Sequence, residues 1–259
     1  MGKNYSVLVA LALILLIIVG CSEQLHFSNR DEKISNRAQV KVSKQTSINP
    51  QTKDSKTNDR TVKVVENPGS IPVLVNKLNM LPEQYSPSDL VYPDIPFIFA
   101  KKSSKREMRQ EAAQAIEKLF ASAKKDGVPL LGVSAYRSHT AQKTLFNYYV
   151  NRDGIKAAQT YSALPGTSEH ETGLAIDVTG SDGKCAAENC FGSTKEAKWL
   201  ARHAAEYGFI IRYPKGKETI TGYQYEPWHL RYVGKTIAQK ITARGITLEE
   251  YYNAIPVNK

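Results

Sequence analysis

Two short stretches hold most of the side chains in this chain that could do chemistry together. The first is Ser168-Glu169-His170-Glu171-Thr172-Gly173-Leu174-Ala175-Ile176-Asp177, and the second is Glu226-Pro227-Trp228-His229. His170 and Asp177 are seven residues apart, and His229 follows Asp177 by 52. Two imidazoles and one carboxylate make a three-ligand set, with Glu226 as a spare carboxylate. A catalytic zinc needs three protein ligands, an open position for water, and a base beside that water. The spacing is not that of the helical HExxH arrangement, in which one turn supplies both imidazoles. Taken singly, each residue has an ordinary explanation. A lone His is usually on the surface or hydrogen-bonded, and a strand-end Asp is usually a turn or ion-pair residue.

A sheet must therefore converge these segments. Leu174 to Val178 reads as a strand carrying Asp177, with the loop that enters it supplying His170. Tyr225 to Leu230 reads as a distant strand carrying Glu226 and His229. Leu130 to Tyr136 is a buried strand ending at Arg137, followed by a helix from Thr140 to about Asn151. Met108, Ala112, Ile116, Leu119, Phe120 and Ala123 recur at helical spacing between Arg106 and Lys125. Gly127 and Pro129 end that helix. Thr194 to Tyr207 is a helix capped by Ser193 or Thr194, and Phe209 to Tyr213 is a strand. Lys235 to Ala243 and Thr247 to Ala254 are terminal helices. Upstream, Ile71 to Val75, Leu81-Pro82 and Tyr92 to Pro96 suggest an extended arm lying on the domain. Helices and strands mix without βαβ alternation. The expected class is α+β, a small, mainly antiparallel sheet flanked by helices.

Three motifs in order give a resemblance to a known family. SxHxxGxAxD (Ser168, His170, Gly173, Ala175, Asp177), then ExWH (Glu226, Trp228, His229), resemble the VanY-like D-alanyl-D-alanine carboxypeptidases. These are zinc peptidases of bacterial cell walls that share a fold with VanX. Ser134-Ala135-Tyr136-Arg137-Ser138-His139-Thr140-Ala141-Gln142 also looks like the family's SxYRSxxxQ stretch, and Pro72 to Lys77 with Leu81-Pro82 resembles its N-terminal arm. The resemblance spans about residues 70 to 255 and implies a hedgehog/DD-peptidase-like fold. It implies that His170, Asp177 and His229 hold Zn2+ and that Glu226 is the general base. A carboxylate there would accept a proton from attacking water and deliver it to the leaving amine. The resemblance also places Arg137 in the cleft, with Ser168 and Gln142 lining it. A guanidinium can anchor a free chain-terminal carboxylate or a developing oxyanion. Trp228 reads as a packing residue or cleft wall, and Tyr136 as core or cleft. Glu169 and Glu171 are expected to face solvent, and His139 and His203 to be bland.

The ends and the composition bound the setting. Lys3 and the apolar run Val7 to Val19 form an export signal too short to cross a bilayer core of roughly 30 Å at about 1.5 Å per residue. Ile18-Val19-Gly20-Cys21 resembles a lipobox, which implies cleavage before Cys21 and a lipid on it. The expected organisation is a signal peptide over residues 1–20, a disordered tether over 21–66 and a zinc carboxypeptidase domain over 67–259. The tether is rich in Ser, Asn, Gln, Thr and Lys and buries too little to offset its ordering entropy. The expected location is extracytoplasmic, lipid-anchored to the outer face of the cell membrane. Cys185 and Cys190 can close a small disulfide loop in an exported domain; free thiols or a second metal site are the alternatives.

A net charge of +10, from 35 Lys and Arg against 25 Asp and Glu, suits a polyanionic partner. Export and the lack of any Arg-rich helix argue against nucleic acid, and an anionic cell wall fits. The expected partners are peptidoglycan stem peptides and the membrane, with the chain acting as a monomer. The expected activity is removal of the C-terminal D-alanine, from either a D-Ala-D-Ala or an L,D-tetrapeptide bond. An endopeptidase of the same fold and a non-catalytic wall-binding protein are the competing readings.

Overall fold

The computed structural model describes residues 61–258. The segments expected to be the signal, the lipid-bearing Cys21 and nearly all of the tether lie outside the described residues. The boundary placed at residue 66 moves earlier: Lys63–Val64 (β1) pairs in parallel with Asn79–Met80 (β2). Leu90–Val91 (β3) pairs antiparallel with Met108–Arg109 (β4). The helix foreseen from Arg106 begins instead at Gln110. Met108 is fully buried, but as part of β4, so its agreement with the helical period was coincidental.

A four-stranded sheet in the order β5-β6-β8-β7 organises the rest. Its strands are β5 (Leu130–Ser134), β6 (Ala175–Gly180), β7 (Phe209–Tyr213) and β8 (Glu226–Tyr232), and each neighbouring pair is antiparallel. The chain is thus α+β, with small, mainly antiparallel sheets. The N-terminal arm covers the open edge of β5. Gly132 N–H donates to Pro96 O at 2.9 Å, and Ile98 N–H to Gly132 O at 3.0 Å. A Cβ on Gly132 would stand 2.6 Å from the Phe97 ring, so only glycine admits the arm this closely.

Period-two alternation gives the sheet two chemically different faces. Ile176, Val178, Trp228 and Leu230 pack against α1 (Gln110–Lys125) and α4 (Lys195–His203) in the main core. The buried positions of α1 are Ala112, Ala113, Ile116, Leu119, Phe120 and Ala123, one continuous stripe. The opposite face carries Asp177, His229, Arg231 and Arg212. Asp177 is directly opposite His229 across β6 and β8, and opposite Ser134 across β5 and β6.

The remaining helices frame this polar face. α2 (His139–Asp153) is capped by the Ser138 hydroxyl, which accepts from Ala141 N–H at 3.2 Å. It runs into α3 (Ile155–Tyr161), absent from the sequence reading. A short α5 (Glu218–Thr221) precedes β8, and α6 (Lys235–Arg244) and α7 (Leu248–Tyr251) close the chain. Ile210, Val233, Ala238, Ile241 and Leu248 form a second, smaller apolar cluster under these last helices. Cys185 and Cys190 are joined by a disulfide.

Candidate active site

His170 lies on a 3-10 turn, Glu169–Thr172, which Gly173 closes in the left-handed conformation at φ 67°. Its Nδ1 is 2.7 Å from Ala135 O. A carbonyl only accepts, so Nδ1 carries the hydrogen and the lone pair sits on Nε2. Nε2 is 3.3 Å from Asp177 Oδ2. Burial pushes the His170 imidazole below its ordinary pKa, towards the neutral form. Burial alone would raise Asp177, but the two imidazoles beside it hold it well below the usual carboxylate range. A lone pair therefore faces an ionised carboxylate, and a cation between them satisfies both.

His229 offers a third potential ligand. Its Nδ1 is 2.9 Å from Asp177 Oδ1, and the two imidazole rings are 4.9 Å apart and nearly perpendicular. One potential ligand atom from each of His170, Asp177 and His229 falls within 4.8 Å of the others. Tetrahedral zinc with bonds of about 2.0–2.1 Å to N and O sets its ligand atoms roughly 3.3 Å apart. The donor types, the lone pair on His170 Nε2 and the clustering of the three ligand atoms fit zinc.

Glu226 reaches the same cleft at an irregularity in the strand pairing. In a regular strand, residues three apart point to opposite faces, so Glu226 and His229 should diverge. Ile211 pairs with Leu230 but Tyr213 with Glu226, so two steps along β7 match four along β8. A bulge of this kind re-aims a side chain, and both residues line one cleft of about 1230 Å³. Burial raises Glu226 to about 8; Asp177 and Glu169 push it the same way, while His229 and Arg137 oppose them. For His229 burial would lower the pKa, yet bonds to Asp177 and Glu169 outweigh it and raise it to about 9.

Arg137 lines the cleft with its charge free of any direct carboxylate contact among the described residues. It donates from Nη1 to Gln142 Oε1 at 3.0 Å and from Nη2 to Ser134 Oγ at 3.1 Å, both neutral groups. Burial lowers its pKa from the ordinary guanidinium value. Gln142 also borders the cleft, but both ends of its amide are engaged, Nε2 donating to Ala163 O at 2.7 Å. It thus holds Arg137 in place. Ser168 and Tyr136 are buried in the cleft wall, and Trp228 belongs both to that wall and to the core. Ala187, inside the disulfide loop, borders the same cleft.

Two expectations are corrected. Glu169 and Glu171 do not face solvent; they are 1% and 3% exposed. The turn folds Glu169 beneath the polar sheet face, where Arg212 Nε and Arg231 Nη1 donate to its Oε1 at 2.7 and 2.6 Å. Burial alone would raise its pKa, but the two guanidiniums hold it well below the usual range. Glu171 accepts from Gly166 N–H at 2.8 Å and lies 3.0 Å from His139 Nδ1. His139 is therefore paired, as is His203, which stacks on Trp199 and lies 2.9 Å from Glu206.

Four residues near the ligands went unread in the sequence: Arg212, Arg231, Tyr213 and Tyr223. Tyr213 and Tyr223 line the cleft, with the Tyr213 ring 5.1 Å from that of His229. Strand period was the available signal for the arginines. Arg231 is two residues beyond His229 on one face, and Arg212 is a lone charge in an apolar strand run.

Known proteins share this arrangement of chain. The family model described as VanY, D-alanyl-D-alanine carboxypeptidase, matches residues 105–235. YodJ of Bacillus subtilis (strain 168), provisionally named a carboxypeptidase, is 40% identical over 268 residues, covering 98% of this chain and 97% of YodJ. The LdcB LD-carboxypeptidase, whose structure addresses peptidoglycan recognition, is 47% identical with a TM-score of 0.72, covering 78% of this chain and 93% of that one. A vancomycin-resistance D,D-pentapeptidase VanY in complex with Zn(II) is 33% identical with a TM-score of 0.57, covering 71% of this chain and 99% of that one.

Proposed function

The chain belongs to the VanY family of D-alanyl-D-alanine carboxypeptidases, and from that premise we propose that it is a zinc-dependent carboxypeptidase that removes the C-terminal D-alanine from peptidoglycan stem peptides. The observation that carries this reading is the convergence of His170, Asp177 and His229 in a cleft that Glu226 and Arg137 also line. Zinc held by those three ligands supplies Lewis acidity. Glu226 takes the proton of the attacking water on its carboxylate and returns it to the leaving amine. Arg137, paired with neutral groups only, offers its charge to the free carboxylate of the stem peptide. Tyr213 and Trp228 wall the cleft and limit water around the reacting bond.

The L,D bond of a tetrapeptide stem is the favoured target. What supports it is the greater likeness to LdcB, an LD-carboxypeptidase, than to the D,D-pentapeptidase VanY. Mass spectrometry of defined muropeptides incubated with the zinc-loaded chain tests the whole reading. The expected result is loss of one alanine from the tetrapeptide. Loss from the pentapeptide alone would reassign the bond as D,D. Internal cleavage would make the chain an endopeptidase, and no release would make it a binding protein. The lipobox-like segment ending at Cys21 supports a further part of the proposal, that the enzyme works outside the cell on a lipid anchor.

A further inference from the structure

The ionic network under the metal ligands contains one contact that pairing the arginines does not require. Glu169 Oε1 takes both guanidinium hydrogen bonds. Its other oxygen, Oε2, lies 3.3 Å from His229 Nε2. Bound to a metal, an imidazole is neutral, with one N–H and one lone pair, because the metal displaces the second proton. Donation of Nε2–H to Glu169 leaves the lone pair on Nδ1, the atom 2.9 Å from Asp177 Oδ1. Resting on the reading of His170, Asp177 and His229 as zinc ligands, we propose that Glu169 is a positioning residue that fixes His229 in the tautomer and ring orientation presenting Nδ1 to the metal.

The surrounding residues explain why this carboxylate can be so rigid. The side chains of Glu169, Arg212, Arg231 and Glu249 are 0% exposed, and their two negative and two positive charges balance. Arg212 grips Glu249 of α7 with two bonds, at 2.7 and 2.9 Å. Arg231 Nη2 donates to Ile71 O and Val73 O at 3.0 and 2.7 Å, and Asn76 Nδ2 donates to Glu249 at 3.1 Å. The arm and the C-terminal helix thus brace the carboxylate that aims the ligand. Outer carboxylates of this kind set the tautomer and basicity of a ligating His.

The test is zinc affinity in the full-length chain, purified in detergent and measured by competition with a chromophoric chelator. Glu169→Gln, kept below its melting temperature, should bind zinc about ten- to a hundredfold more weakly than the parent. A purely structural role would lower the melting temperature and leave the affinity of the folded variant unchanged, and that result would overturn the proposal. A second measurement needs no variant. NMR of isotope-labelled histidine in the zinc-loaded parent should show His229 protonated at Nε2 and metal-shifted at Nδ1. Metal on Nε2, or an unprotonated Nε2, would overturn the role even if Glu169→Gln does not fold. A parent chain that binds no zinc would instead reject the metal reading, and this inference with it.

Discussion

At the scale of single residues, Glu226 is held between two demands. As the proposed base it must be ionised to accept a proton, yet burial raises it to about 8. Glu226→Gln should keep bound metal, seen by elemental analysis, and lose roughly 10²- to 10⁴-fold in turnover. Activity within a few-fold of the parent would assign the base elsewhere. Burial of this acid also has a sign for stability. Its folded pKa lies above the ordinary 4.5, so the folded state holds the proton longer. In chelator-treated protein, stability should therefore fall as pH rises from about 4.5 to about 8, and Glu226→Gln should flatten that fall. Melting temperatures of the two proteins across this range check it; parallel curves would contradict the assignment. For Arg137, amidating the substrate's terminus removes a charge-assisted bond of about 1.5–3 kcal/mol. That predicts a loss of roughly ten- to a hundredfold in kcat/KM, and Arg137→Ala should be nearly indifferent to amidation. If the variant slows on acid and amide alike while keeping the parent's preference, Arg137 serves the oxyanion instead.

At the scale of elements, the turn Glu169–Thr172 decides whether His170 and Glu169 can both reach their partners. Gly173 ends it at φ 67°, and a Cβ there would stand 2.9 Å from Leu90 Cδ2 and 3.0 Å from Arg109 Cγ. Gly173→Ala should destabilise the fold by about 1–3 kcal/mol through backbone strain, with the crowding against β3 and β4 adding to it. Urea denaturation measures this, and an unchanged midpoint would show that the turn can relax. The register slip between β7 and β8 is the other decisive element. Glu226 lies at this irregularity and lines one cleft with His229, which regular alternation along a strand would not give.

At the scale of the whole molecule, the sheet divides labour between its faces. One face is apolar and packs on α1 and α4; the other carries ligands and charges, closed by the arm and α7. The arm and α7 are thereby tied, through Arg231 and Arg212, to the face that carries the candidate ligands. The N-terminal segment beyond it carries a separate prediction. Cys21→Ser should release the protein from membranes, because a single lipid-bearing residue would be its firm attachment. Fractionation of cells after a salt wash checks this, and persistent membrane association would reject the lipobox reading.

The sequence by itself determined the apolar stripe of α1, all four main strands to within a few residues, and the types of the residues proposed as ligands and base. These are local properties: side-chain periodicity follows from backbone geometry, and coordination chemistry follows from residue type. The neighbourhood of Gly173 was equally legible as a motif. Burial of Glu169 was not, because it depends on Arg212 and Arg231, which arrive 43 and 62 residues later. The same holds for Arg137, whose neutral partners Gln142 and Ser134 decide that its charge stays available. Which face Glu226 takes depended on how β7 and β8 align, and α3 has too little apolar periodicity to announce itself. Tertiary structure alone decided these points, since each is set by which distant groups share a low-dielectric interior rather than by any residue's own preference.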